Sequence, residues 1–412
     1  MLQATVWTMK WIAMAARSLG LTLLLTLAVG AARAQAQPVR IGVLEDMTGP
    51  LSDGAGPGTV AALRLAVQDF GGTVLGRPIE VVSADHSNKP DVAAGIGRQW
   101  YDRDGVTMIT GLANSAIAVA VQQIARERGR IDIVTASASS DLTGRQCSPT
   151  GLHWVYDTYS VAAGVARGMA ASGRDTWFFV TEDYSFGTVL ERDTRAVVER
   201  SGGRTLGSAR FPIGTTDFSS YLLQAQSSGA KVIAFASAGN DTVNAIKQSH
   251  EFGLTSGGQS IVGLLVFQSD LDALGLEEAQ GLRYTSAFYW DADDASRAWT
   301  KRFLATQPRA PTMLQAGAYG AALHYLKAVA VAGTLDAKAV MEQMRATPIN
   351  DLMTRQGTIR ADGRVVRPMY LMEVKRPGQS TSRFDTSRIV SEIPAADAVR
   401  PLAESECPLV SR

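Results

Sequence analysis

Residues 39–72 read VRIGVLEDMTGPLSDGAGPGTVAALRLAVQDFGG. Val39 to Leu44 is a short apolar run, the signature of a buried strand. A turn-rich stretch, Thr48-Gly49-Pro50 through Gly58, follows it. Leu63, Ala66, Val67 and Phe70 then fall at i, i+3, i+4 and i+7, one buried face of a helix, and Gly71-Gly72 stops it. A strand, a loop and a helix in this order are the opening of a βαβ unit.

The same rhythm extends outward. Strands are expected at Ile79–Ala84, Val106–Thr110 and Ile131–Thr135, with helices at Asp91–Tyr101 and Asn114–Glu127. It restarts after Asp157 with helices at Val161–Ala171, Gly187–Glu199, Phe218–Gln226 and Val243–Phe252. The strands between them are Thr176–Thr181, Arg204–Phe211, Val232–Ala236 and Ser260–Leu265. Strands separated by helices imply parallel sheets covered on both faces, and most of these strands are apolar throughout, as such burial requires. The last third breaks the rhythm. Two helical patterns, Ala295–Ala305 and Leu314–Val331, precede strands near Gly357–Arg360 and Met369–Val374, and these complete lobes already begun. The fold class is therefore α/β, with two doubly wound parallel-sheet lobes.

The first 34 residues read as a secretory signal peptide. Lys10 and Arg17 precede an apolar run, Leu19 to Gly30, and Ala32-Arg33-Ala34 has the small-x-small pattern of a cleavage site after Ala34. The run is shorter than the roughly 20 residues a membrane-spanning helix needs. Cleavage would take three of the 40 basic side chains (Lys10, Arg17, Arg33) and none of the 39 acidic ones, leaving a net charge near −2. Nucleic-acid partners normally demand a basic patch, and none is evident. A mature chain of about 378 residues exceeds what one hydrophobic core supports, so two lobes are expected. The product should be exported to the periplasm, where an oxidising environment favours a disulfide between Cys147 and Cys407. Two free thiols stay open until their separation is known.

Catalytic chemistry finds little support. The four histidines (His86, His153, His250, His324) have no partner at metal-ligand spacing, and there is no G-x-S-x-G elbow. Gly54-Ala55-Gly56-Pro57-Gly58 lacks the Gly-Lys-Ser/Thr ending of a phosphate loop and reads instead as sharp turns beside a ligand cleft. Asp291, Asp293 and Asp294 could attract calcium, but without a loop of known spacing they read as a solvated helix start with Asp294 as N-cap. No enzyme, no metal and no cofactor is expected.

Ile41-Gly42-Val43-Leu44 with Met47-Thr48-Gly49-Pro50-Leu51 resembles the opening of the leucine/isoleucine/valine-binding family of periplasmic solute-binding proteins. The likeness continues through Gly71-Gly72, Leu75-Gly76-Arg77-Pro78-Ile79 and Val81 to Asp85. It returns at Gly111-Leu112-Ala113-Asn114-Ser115, Thr135-Ala136-Ser137-Ala138, Asp183-Tyr184-Ser185-Phe186-Gly187 and Thr216-Asp217-Phe218. The resemblance implies two lobes joined by three crossings, closing on a small ligand that an ABC permease in the inner membrane then receives. It places lobe 1 at 35–157 plus 288–367, lobe 2 at 158–287 plus 368–402, and a C-terminal tail at 403–412 clipped to the lobe boundary.

Carried over motif by motif, the resemblance puts Ser115 where a serine holds the ligand carboxylate, at a helix start beside Asn114. A helix N-terminus suits an anion, although Ser115 could also be a plain N-cap. Ala136, Ser137 and Ala138 fall on a second ligand loop, and Phe186 takes the place of an aromatic lid near Tyr184. Two positions depart from the family. Leu265 stands where a glutamate holds the ligand ammonium, and Ala138 replaces a threonine. An ammonium buried without a counter-charge is costly. The branch that takes up aromatic acids therefore fits better, with hydrocarbon against Phe186, Leu265 and Leu314. A branched-chain amino acid, short amide or urea-like solute is the alternative. It would need Asp241 or Asp53 as counter-charge, and Asn240 completes the candidate set. A sensory receptor of the same fold is a further alternative.

Overall fold

The computed structural model describes residues 37–410; the expected signal peptide and its cleavage point after Ala34 lie outside the described residues. Strand β1 (Val39–Glu45) is followed by helix α1 (Gly56–Phe70), the hairpin β2 (Thr73–Val74) and β3 (Arg77–Asp85), and α2 (Pro90–Asp102). Then come β4 (Val106–Gly111), α3 (Ser115–Glu127), β5 (Ile131–Val134) and β6 (Gly151–His153). These six strands form one sheet in the order β2-β3-β1-β4-β5-β6, parallel except for the β2–β3 pair. The order reverses beside β1, so the loops after β1 and β4 leave a crevice at the strand C-termini, the usual ligand position in such sheets.

The second body repeats this logic. It runs α4 (Thr158–Ala170), β7 (Thr176–Glu182), α5 (Ser185–Arg200), β8 (Arg204–Phe211), α6 (Ser219–Ser227) and β9 (Val232–Ala236). After these come α7 (Gly239–Glu251), β10 (Ser260–Gly263), α8 (Gln268–Leu274), α9 (Leu276–Ala279) and β11 (Arg283–Ser286). The chain then returns to the first body with α10 (Asp294–Leu304), α11 (Met313–Ala332), α12 (Ala337–Ala346) and a small hairpin, β12 (Thr358–Ile359) and β13 (Val365–Val366). It finally adds β14 (Met369–Val374) and β15 (Ser387–Ile393) to the second sheet, followed by α13 (Ala395–Ala398). The seven-stranded order is β15-β14-β11-β10-β9-β7-β8, with β14 antiparallel to both of its neighbours, β11 and β15. Two lobes and three crossings result. Among the described residues no helix is long and apolar enough to cross a membrane.

Burial follows position in the sheets. β4, β5, β7 and β9 are buried along their whole length, while the edge strand β8 alternates. β10 stops at Gly263, two residues before the expected end. A Cβ there would lie 2.5 Å from Val266 Cγ2, so the chain folds back tightly: Leu264 still donates its N–H to the Phe235 carbonyl (3.2 Å), and Leu265 is the first residue to leave the sheet. α11 lies against α1 because Gly58 has no side chain: a Cβ would fall 2.2 Å from Gln315 Nε2. Gln315 donates to the Ala55 carbonyl (3.2 Å) and Thr312 to that of Gly54 (2.7 Å), which fastens the return segment to the first lobe. The N-cap of α10 is Asp293, whose carboxylate accepts the Ser296 N–H (2.7 Å); the expected cap, Asp294, sits one residue inside and pairs with Arg297. The helix enters one residue earlier than its polar run suggested.

The hinge side of the lobe boundary is densely polar. Arg364, fully buried, donates to Asp157 (2.9 Å) at the first crossing. Asp193 on α5 accepts from Ser140 (2.6 Å), Thr158 (2.6 Å), Arg400 (2.7 Å) and Arg192 (3.0 Å), so it ties both lobes and the C-terminal segment together. Cys147 and Cys407 form a disulfide with Cα atoms 5.7 Å apart. Glu404 in the same tail pairs with Arg200 of the second lobe (2.8 Å).

Candidate ligand-binding site

A cavity of about 780 Å³, counting its open mouth, lies between the C-terminal ends of the two sheets. The first lobe supplies the loops after β1, β4 and β5, and the second those after β7, β9 and β10. Closure is tight. At Gly239 (φ +58°) a Cβ would stand 3.1 Å from the Pro50 carbonyl oxygen, across the cleft.

Eleven of the twelve residues singled out from the sequence line this cavity: Asp53, Asn114, Ser115, Ala136, Ser137, Ala138, Tyr184, Phe186, Asn240, Leu265 and Leu314. Asp241 does not. It sits in the first turn of α7, where its carboxylate turns outward to accept the Gly214 N–H (2.8 Å) and lies against Glu182. Asp53 reaches the wall but is already paired with Arg309 (2.7 Å). Phe267, close in sequence to Leu265, lines the cavity too, and the sequence reading missed Tyr156, Ser269 and Asp270. Ser269 and Asp270 follow the early end of β10, and Tyr156 lies on the first crossing, where no periodicity marks it.

The cap of α3 is Asn114, not Ser115. Its side-chain oxygen accepts the N–H groups of Ala116 (2.9 Å) and Ile117 (3.4 Å), and it adopts φ +96° to do so. Asn tolerates the left-handed region because its short amide bonds the local backbone. Ser115 is thereby left to the cavity. Its oxygen accepts the Ser139 N–H (3.3 Å), while its own hydroxyl proton has no protein acceptor among the described residues. The Ser137 hydroxyl, in contrast, donates to the Leu112 carbonyl, and His153 Nε2 lies 2.8 Å from the Ser137 carbonyl. Burial, then Arg364, lowers the His153 pKa to about 4, so the ring is neutral and holds this loop by donating that proton.

Among the described residues no Lys or Arg lines the cavity. The first turns or caps of α1, α3, α5, α7 and α11 all do, and α1, α5 and α7 have no side-chain cap. Unpaired N–H groups at α1, α5 and α7 and the partial positive ends of all five helices make the cavity receptive to an anion without a cation in its wall. Beneath it lie two buried carboxyls, each at the end of a central strand. Burial pushes Glu45 up to about 8, against hydrogen bonds from Ala113 N–H (3.0 Å) and Thr59. Burial and then Asp241 push Glu182 up to about 8. Both are largely protonated at neutral pH and add little negative charge. Aromatic rings fill the rest: Tyr156 meets Phe267 edge-on (6.4 Å) and Tyr184 tilts on Phe186 (5.7 Å). Among the described residues no group of three or more His, Cys, Asp or Glu could hold a metal ion.

The periplasmic binding protein family profile matches residues 38–380. A crystal structure of a periplasmic binding protein from Burkholderia mallei is 44% identical, with TM-score 0.89, covering 91% of this chain and 100% of that one. That of a branched chain amino acid ABC transporter periplasmic ligand-binding protein from Burkholderia xenovorans is 40% identical, with TM-score 0.84, covering 90% and 99%. Among curated proteins, the Leu/Ile/Val-binding protein homolog 6 of Brucella melitensis is 26% identical over 376 residues, 89% of this chain and 95% of its own length.

Proposed function

The chain belongs to the periplasmic binding protein family, the ligand-binding components of ABC transporters and not enzymes, and from that premise we propose that it captures a small hydrophobic or aromatic carboxylate. One observation carries this reading: the cavity wall combines several helix N-termini with Leu265, Phe186 and Ala138, and its one acid beside the aromatic segment, Asp270, is buried and held up at about 7, chiefly by burial. The carboxylate sits at Ser115 and the first turn of α3, and the hydrocarbon lies against Phe186, Leu265 and Leu314. Lobe 1 is 35–157 plus 288–367 and lobe 2 is 158–287 plus 368–402, with 403–412 as a tail. A ligand that touches both lobes only when they are closed shifts the population toward closure, and the closed form delivers it to a membrane permease.

A second reading takes a branched-chain amino acid, as the names of the Burkholderia xenovorans and Brucella relatives favour. A thermal-shift screen with benzoate, phenylacetate, leucine and isobutyramide separates the two. A ligand at 100 times its Kd adds about 2.7 kcal/mol of stability. Protection by the aromatic acids and none by leucine supports the first reading, and the reverse pattern replaces it with the second.

A further inference from the structure

The backbone of the second ligand loop is one-sided in its hydrogen bonding. Ala136, Ser137 and Ala138 are buried and line the cavity. All three of their carbonyls are taken by residues 153–158, the segment that makes the first crossing. The Tyr156 hydroxyl donates to Ala136 (2.8 Å), the His153 ring to Ser137 (2.8 Å) and the Thr158 N–H to Ala138 (2.7 Å). The N–H groups of Ser137 and Ala138, in contrast, have no protein acceptor among the described residues. Buried N–H groups are rarely left unpaired, so this loop is set to donate to a ligand, while its own acceptors are already engaged. Of the three donors only Tyr156 lines the cavity itself. Burial, and then Glu45, hold its phenol above the ordinary range, so the hydroxyl keeps its proton.

Resting on the carboxylate reading above, we infer that Tyr156 is a specificity-determining residue, whose hydroxyl occupies the Ala136 carbonyl and so excludes acids that carry an ammonium beside the carboxylate. An α-ammonium is bonded to the carbon next to the carboxylate, so it must lie close to the Ser115 anchor. The loop abuts that anchor: the Ser139 N–H donates to Ser115 Oγ (3.3 Å), and the Ser137 hydroxyl donates to the Leu112 carbonyl. A cation brought there meets donors, and the carbonyl that would accept from it is already bonded. It loses water without regaining a hydrogen bond, which is costly for a charged group. The tyrosine achieves this exclusion without placing any charge in the wall.

The test is calorimetry on the mature protein with pairs that differ only by the ammonium: phenylacetate against phenylglycine, and 4-methylpentanoate against leucine. In the wild type at least one acid should bind about 100-fold or more tightly than its amino acid. Tyr156→Phe keeps the ring edge-on to Phe267 and frees the carbonyl. It should narrow that ratio by about 10-fold or more through a gain in amino-acid affinity, with the acid held within about three-fold. Tyr156→Leu removes the same hydroxyl and should narrow the ratio likewise; melting curves confirm that each variant is folded. An unchanged ratio in both variants, or a loss that falls on acid and amino acid alike, overturns the role of Tyr156 while the carboxylate reading stands. A wild type that binds the amino acids as tightly as the acids, or binds neither acid, overturns the carboxylate reading and the exclusion with it.

Discussion

The two sides of the lobe boundary are built in opposite ways. On the hinge side, Asp193 gathers four donors from both lobes and the C-terminal segment, Arg364 is buried against Asp157, and a disulfide pins the tail. On the cleft side, no hydrogen bond or ion pair among the described residues joins loops 49–55, 113–115 and 136–138 to segments 184–186, 238–243 and 265–270. Contact there is through Phe267 on Tyr156 and the backbone approach at Gly239. Permanent cross-links hold the hinge whether or not ligand is present. The cleft is left without them, so the ligand itself becomes the cross-link and its binding energy drives closure.

Breaking the hinge should therefore cost folding, and altering the cleft should cost affinity. The largest effect is expected for Asp157→Ala, which strands the Arg364 guanidinium in the interior and should lower unfolding free energy by about 3–5 kcal/mol. Denaturant titration measures it, and a loss below about 1 kcal/mol would mean that the pair is not what secures the crossing. Next is Leu265→Glu, which sets a negative charge against the ligand carboxylate. At a separation of several ångströms and an effective dielectric near 20, the repulsion is about 2–4 kcal/mol. Calorimetry should show benzoate binding weakened accordingly and leucine binding improved; an unchanged benzoate affinity would place position 265 outside the contact surface.

Ser115→Ala should weaken acid binding by about 1.5–3 kcal/mol, the range for a hydrogen bond to a charged group. Its stability should hardly move, because Asn114 carries the cap. Asn114→Ala should do the reverse, losing roughly 1 kcal/mol of stability. A Ser115→Ala protein that is destabilised but binds normally would return the serine to a purely structural role.

The most diagnostic test is pH, because the two sides answer it in opposite senses. Burial alone would raise the Asp157 pKa, but Arg364, His153 and the Ser160 hydrogen bonds outweigh it and hold the carboxyl below its ordinary 3.8. A depressed folded value gives stability that is present above the unfolded pKa and lost as pH falls through the folded one. Glu45 and Glu182 are the converse. Their folded values near 8 stand above the ordinary 4.5, so their contribution is complete below about 4.5 and is lost as pH rises through about 8. Ligand-free protein should melt higher at pH 5.5 than at pH 8.5, and Glu45→Gln should flatten that slope. A flat wild-type profile would contradict the buried, protonated state of these carboxyls.

Much of this molecule was legible in the amino-acid order. β8, β9 and β14 occupy the residues their apolar patterns predict, because a parallel strand buried by its neighbours or an edge strand with one dry face writes its own period into the chain. The ordered glycines and the cluster of ligand loops likewise led to the cavity, since loops at strand C-termini have one possible place to meet. The last third resisted. β15 and α12 were not foreseen, nor was the antiparallel pairing that adds β14 and β15 to a sheet begun two hundred residues earlier, roughly, in a chain whose loop-closure entropy permits such returns.

What the sequence determined by itself is the α/β alternation and the division into two doubly wound lobes. Those features are local or compositional. What only the tertiary structure decided is which side chains face the cleft. Asp241 turns away to Gly214, Asn114 takes the cap that Ser115 was expected to share, and β10 ends early enough to bring Ser269 and Asp270 to the wall. Each depends on a backbone direction set by contacts between segments distant along the chain, at Gly263 on Val266 or Gly239 on Pro50, and a one-residue change in where a strand ends rotates every side chain that follows.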